Sequence, residues 1–343
     1  MVKRYVVWLA LIGLGGLSIP TLGAAQTATP AGDAAVILLY HRFDDDRVAA
    51  LNTTTEQLGA HVSDLKGGGF KVMALPDILA AMRSGQPLPD KTVAITIDDG
   101  AASVYSRAWP LLRQAGLTAT VFVATDEIDR GGPDVMNWAQ LRDLAAAGIT
   151  IGSQGAARLH MAKAAPDLIA ADLARANARF ERELGRTPTV FAWPWGEASA
   201  AAMAVVRQAG FVAALGQHSG AVWAKADPFF LPRFAQTAAF GEAERFRLAV
   251  RSLPLPAIDI TPSDPAIGAN PPAFGFTLAE DVPGIAGLSC FASHEGQVRI
   301  ERLGPRVEVR MAKPIPAGRG RLNCTLPTLE GRWRWFGWQF AAP

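Results

Sequence analysis

Residues 92–100 read TVAITIDDG, an apolar run that ends on two adjacent carboxylates and a glycine. Paired carboxylates suit acid–base and metal chemistry: one can take a proton from water while the other binds a cation. Thr92 to Ile97 is rich in β-branched residues and reads as a buried strand. Asp98 and Asp99 then fall at its C-terminal end, the edge where α/β sheets and barrels place their chemistry. Successive strand residues point to opposite sides, so the two carboxylates face different partners. Gly100 permits a sharp turn behind them. On these residues alone a second reading stands beside the first: Asp98 or Asp99 caps a helix that begins near Ala101.

The elements that would position this pair recur along the chain. Strand-like runs are Val36–Tyr40, Phe70–Ala74, Thr92–Ile97, Ala119–Ala124, Ile149–Ser153, Thr189–Trp193 and Phe211–Leu215. Helical patterns lie between them at Thr55–Lys66, Pro76–Met82, Tyr105–Gln114, Trp138–Ala147, Pro166–Leu184 and Ala200–Gln208. Repeated βα units imply parallel strands with right-handed crossovers. The fold class is therefore α/β, an incomplete or distorted (β/α)7-type barrel over about 200 residues.

The pattern changes after Gly241. A helix-like stretch, Glu242–Arg251, leads into a segment with Pro254, Pro256, Pro262, Pro265, Pro271 and Pro272, which has the composition of a linker or edge strand. Val298–Leu303 and Arg306–Met311 flank Gly304-Pro305 as a hairpin, and Trp333 to Phe340 alternates. With period two, Trp333 and Trp335 share one face, and Phe336, Trp338 and Phe340 share the other, the core-facing one. Residues 255–343 are expected to form a small all-β, sandwich-like accessory domain, joined through 241–254 to a catalytic-type domain over 35–240.

The chain has 343 residues, half of them hydrophobic, enough for two domains and a sizeable core. A net charge of +2, with the basic residues scattered, excludes a dedicated nucleic-acid binder. Lys3 and Arg4 precede an apolar run from Tyr5 to Ile19, followed by Gly23, Ala24 and Ala25. This is the layout of a signal peptide over 1–25, with a flexible leader over 26–34. The run is short for a span and contains Gly13, Gly15 and Gly16, so no stable membrane span is expected after cleavage. The protein is then exported, periplasmic or secreted. In that setting the only two cysteines, Cys290 and Cys324, are expected to form a disulfide.

Several motifs coincide in order. Tyr40-His41-Arg42-Phe43 closes the first strand, and TIDDG closes the third. Ile151-Gly152-Ser153 leads to a loop holding His160, and Phe191-Ala192-Trp193-Pro194-Trp195-Gly196-Glu197 closes a later strand. Together they make residues 34–235 resemble the polysaccharide deacetylase family (NodB-homology domains, carbohydrate esterase family 4), in the branch of the biofilm poly-N-acetylglucosamine deacetylases. The resemblance implies a hydrolase acting on the acetamide carbon–nitrogen bond of an N-acetylated polysaccharide, with a divalent metal, zinc, as cofactor. It implies Asp98 as general base, Asp99 as metal ligand and His41 as the acid that protonates the leaving amine; the alternative for His41 is a structural histidine at a strand end. Pro194, Trp195 and Gly196 would shape the groove wall. Trp193 and Trp195 would stack on sugar rings or serve as core aromatics. His218, in Gln217-His218-Ser219-Gly220 after the last strand, would touch substrate or simply build a turn.

The metal motif departs from the family. Histidines are expected where Gln154 and Arg158 stand, and His160 matches a position that is not a usual ligand. A glutamine amide oxygen is a far weaker zinc ligand than imidazole, and arginine has no lone pair to give. An arginine in that pocket is expected to pair with Asp99 and Asp98 in place of the cation. Three functions follow: a metal-poor, weak or inactive homologue that still binds glycan; an active N-deacetylase with a rearranged site of Asp99, His160 and Gln154; and a non-catalytic envelope scaffold whose β domain does the work.

Overall fold

The computed structural model describes Met1 and residues 32–343. The expected signal peptide and most of the leader lie outside the described residues. Thr92–Ile97, buried at every position, is the centre of a curled, nine-stranded sheet. Ala34–Tyr40 pairs with it in parallel on one side. Thr120–Val123 pairs in parallel on the other, followed by Thr150–Ser153, Val190–Ala192 and Ala213–Leu215. The β-branched and aromatic runs are buried on both faces, as parallel strands covered by helices must be.

The seventh strand differs from the sequence expectation. Phe70–Ala74 supplies only Lys71–Val72, a short edge pairing beside Thr92–Val93 with an exposed lysine. The place between the sheet's last and first strands is taken instead by residues 231–235. Leu231 bridges Leu215, and Phe234–Ala235 pairs in parallel with Leu38 and Leu39. This segment curls the sheet toward closure and carries Arg233 inside.

The expected helix over Tyr105–Gln114 begins instead as a wide π-type turn, Val104–Ala108, and continues as Trp109–Ala115. Pro110 has no N–H to give to the preceding turn, which disfavours a regular helix there. Thr125–Arg130 is a further short helix, and its first turn carries Asp126 and Glu127.

Residues 253–342 contribute an eight-stranded, mainly antiparallel sheet. Phe274, on Phe274–Leu278, touches Trp338 and Phe340, on Trp333–Ala342, with ring centroids at 6.0 and 5.3 Å. These strands are far apart in sheet order, so the sheet folds over on itself like a sandwich. Cys290 and Cys324 sit directly opposite on adjacent strands and are disulfide-bonded. Trp335, on the other face of its strand, packs edge-on against Phe234 of the α/β sheet. One apolar cluster runs from Phe191 and Phe230 into Phe276 and Phe340, so the two sheets share a core.

Candidate functional site

The site forms where Thr92–Ile97 ends. Gly100 adopts φ +60°, and a Cβ there would lie 2.8 Å from Val123 Cγ1, so only glycine allows the turn to pass under the next strand. The turn leaves Asp98 and Asp99 in separate electrostatic settings.

Asp98 is fully buried and paired with an equally buried Arg233, whose Nη1 and Nη2 donate to the two carboxylate oxygens at 2.7 and 2.8 Å. Arg233 Nε donates to the Gly216 carbonyl at 2.8 Å, and Nη1 also reaches Thr96 Oγ1 at 3.2 Å. The bidentate geometry is the strong form of this pairing.

Asp99 faces the Gln154–His160 loop. Gln154 exchanges hydrogen bonds with it: the Asp99 N–H donates to Oε1 at 3.1 Å, and Nε2 donates to Asp99 Oδ1 at 3.3 Å. Arg158 Nη2 sits 2.9 Å from the same Oδ1, and its Nη1 donates to Glu127 Oε1 at 3.1 Å. The loop is shaped by Asp172, which accepts from the N–H groups of Ala156 and Ala157 at 2.8 and 2.9 Å. The carbonyls of Gly155 and Ala156 accept from Thr125 and Asp126, which seats the short helix and brings Glu127 to Arg158.

Trp195 completes this wall. The Arg158 guanidinium lies 4.7 Å from its ring centroid, and the His160 ring stacks on it at 5.1 Å with 6° between planes. His160 is mostly exposed and donates to Glu197 Oε2 at 2.8 Å, so it is engaged away from Asp99. From the second sheet, Gln339 Nε2 donates to the Gly196 carbonyl at 2.7 Å and Arg319 Nη1 to the Trp195 carbonyl at 2.8 Å.

His41 is buried at the end of Ala34–Tyr40, and its Nδ1 has no protein partner. Burial lowers its pKa, opposed by the charges of Asp99 and Asp98. Two further residues expected at the site, Trp193 and His218, are buried. Trp193 is fully buried; its Nε1 donates to the Phe229 carbonyl at 2.9 Å and its ring abuts Phe191, so it is a core aromatic. His218 is buried against Phe230 and Trp338 and lines a cavity with Trp223, Leu255 and Trp335. Pro194 and Gly196 are buried in the turn, and only Trp195 of this motif is partly open.

The donors present do not fit a divalent cation. Asp99 is occupied by Arg158 and Gln154, and a guanidinium offers no lone pair. Among the described residues no group of three His, Cys, Asp or Glu side chains is arranged to hold a metal. The proposed triad of Asp99, His160 and Gln154 is not brought together, because His160 turns to Glu197.

Sequence reading missed Arg233 and Glu127. Arg233 is separated from Asp98 by 135 positions, and no local pattern links them. Glu127 lies on a helix too short for periodicity to reveal.

The site therefore lies on a curled, largely parallel α/β sheet, with a carboxylate pair at the C-terminal edge of a central strand. Residues 85–214 match the sequence model of the polysaccharide deacetylase family. A poly-β-1,6-N-acetyl-D-glucosamine N-deacetylase of Escherichia coli is 23% identical over 219 residues, covering 51% of this chain and 33% of that protein. A protein of the same name from Staphylococcus aureus is 20% identical over 207 residues, covering 57% of this chain and 71% of its own. The chain thus spans a third of the length of the E. coli relative. Among solved structures, the Streptococcus pyogenes deacetylase PplD aligns with a TM-score of 0.60 at 16% identity, covering 64% of this chain and 99% of that one. IcaB from Ammonifex degensii aligns with a TM-score of 0.57 at 23% identity, covering 62% and 96%. At these identities the structural likeness establishes the fold.

Proposed function

We propose that this chain is an exported protein of the polysaccharide deacetylase family that binds N-acetylated glycans and hydrolyses them slowly or not at all. The observation that carries this reading is the Arg158–Asp99 pair at 2.9 Å, which puts a fixed guanidinium where the family resemblance calls for a cation held by histidines. A guanidinium supplies positive charge but no open coordination position on which water could be activated. Asp98, the residue the resemblance makes a general base, has both oxygens engaged by Arg233. The names of the E. coli and S. aureus relatives support an N-acetylglucosamine polymer as the glycan.

The test is metal analysis of the purified protein, with acetate release and binding measured on N-acetylglucosamine oligomers. The expected result is far less than one zinc per chain, no measurable acetate and retained binding. A Gln154→His/Arg158→His variant should take up zinc. One tightly bound zinc per wild-type chain with acetate release would overturn the reading in favour of an active enzyme. Absence of any glycan binding would overturn it in favour of a scaffold.

A further inference from the structure

The strands Gly318–Pro327 and Trp333–Ala342 turn one face toward the α/β part. Arg319, Arg321 and Asn323 lie on this face of the first strand, with Gln339 opposite Arg321 and Gly337 opposite Asn323. Most of the face is closed. Gly337 abuts the Ser219 carbonyl, and Gln339 donates to the Trp195–Gly196 turn. The end carrying Arg319 and Arg321 is exposed.

The charges at this end are unbalanced. Arg319 donates to the Trp195 carbonyl, and its Nε lies 3.8 Å from Glu197 Oε1, while the other Glu197 oxygen is held by His160. Arg321 has one side-chain partner among the described residues, the neutral Gln339 Oε1 at 3.3 Å, and no ion pair. In the hairpin of the same sheet Arg299, Arg306 and Arg310 are each matched by Glu301 or Glu308, and Arg302 alone is not ion-paired among the described residues. Where the strand meets the Trp195 turn, Glu197 is the one carboxylate near the two arginines, and Arg321 has no ion pair among the described residues.

We propose that Arg319 and Arg321 form a subsite for an anionic substituent, a carboxylate or phosphate, on a glycan whose N-acetylated sugar lies against Trp195 and Asp99. The inference rests on the glycan-binding reading above. Residues at i and i+2 share one face of a strand, with their Cα atoms about 7 Å apart. The planar forks of the two arginines match the oxygens of a carboxylate or a phosphate. Gln339 ties Arg321 to the turn that carries Trp195, so an anion bound here is one hydrogen-bonded link from the site.

The experiment compares binding of three oligomers of equal length by titration calorimetry. They are a neutral N-acetylglucosamine oligomer, one alternating N-acetylglucosamine with glucuronate, and an N-acetylglucosamine oligomer bearing phosphate. Wild-type protein should prefer at least one acidic oligomer by about tenfold, the scale of one charge-assisted hydrogen bond, and lose that preference as salt rises. The acidic oligomer that is favoured identifies the anion. Arg321→Gln should abolish the preference while leaving neutral-oligomer affinity unchanged. Equal binding of all three oligomers, or equal loss of all three in Arg321→Gln, would overturn the subsite and leave the glycan-binding reading standing. Binding of none would overturn that reading itself.

Discussion

Arg233 grips Asp98 through both terminal nitrogens, at 2.7 and 2.8 Å, and neither side chain reaches solvent. The pair joins the centre of the sheet to the segment that connects its last and first strands. Removing one partner strands a buried charge, which costs about 3–5 kcal/mol, whereas removing both is far milder. Arg233→Met should therefore lower stability to urea by that amount. Adding Asp98→Leu should recover more than half of the loss. Equal stability of the single and double variants would show that packing, not charge pairing, governs the position.

The contrast between Asp98 and Asp99 explains what was legible in the sequence. Thr92–Ile97, Pro166–Leu184 and Ala200–Gln208 have the same bounds in the sequence reading and in the fold. Each has a long, consistent pattern and a local start signal, such as Pro166 in the first helical turn or Ser199 as a cap whose side-chain oxygen accepts from the Ala202 N–H. Phe234–Ala235 has two residues and no pattern to read. Asp99 and Arg158 are named together by motif order, and they meet. Motif order also sends Arg158 toward Asp98, but Arg233 already occupies that carboxylate from a distant segment, and distance in sequence hides such a partner. Trp193 and Trp195 look equivalent as letters. The turn between them drives the first into the core and leaves the second at the site.

Arg158 serves Asp99, Glu127 and the Trp195 ring at once, which requires a planar fork. Arg158→Lys keeps the charge but cannot make all three contacts. It should lose about 1–2 kcal/mol in urea unfolding. It should also change tryptophan fluorescence, because the cation over Trp195 moves. A variant matching wild type in both measurements would mean that the charge alone matters.

Burial, then Arg321 and Arg233, pushes His218 from its usual 6.5 down to about 3. His41 and His61 are also lowered, each chiefly by burial. His61 is held neutral between the Tyr40 hydroxyl, which donates to Nδ1 at 3.0 Å, and the Gly241 carbonyl, which accepts from Nε2 at 2.7 Å. Between pH 6.5 and 3 the unfolded chain binds a proton at His218 that the folded chain refuses. Stability therefore falls as pH drops through that window, and His218 contributes no slope above it. At about 1.4 kcal/mol per unit, His218 removes about 2 kcal/mol between pH 7 and pH 5. His218→Asn should reduce the pH 7 to pH 5 loss by that amount, whatever its effect on stability at pH 7. An unchanged difference between the two pH values would show that His218 titrates normally.

Gly337 lies where the second sheet meets the α/β part, and a Cβ there would overlap the Ser219 carbonyl oxygen. The obstruction is backbone, which cannot rotate away as a side chain can. Two links depend on the same seam: Trp335 against Phe234 two residues before, and Gln339 to the Trp195–Gly196 turn two residues after. Gly337→Ala should cost about 1–3 kcal/mol, the usual scale of overpacking. Because Gln339 would be displaced with the strand, glycan affinity should fall together with stability. Gly331→Ala is an unsuitable control, since Gly331 has φ +71° and would add backbone strain of its own. Gly287→Ala is suitable: its added methyl would make only ordinary contact, 3.5 Å from Leu326 Cδ1, and it should leave glycan affinity unchanged. If Gly337→Ala lowers stability while glycan affinity stays at the wild-type value, the second sheet steadies the barrel without setting the Trp195 wall.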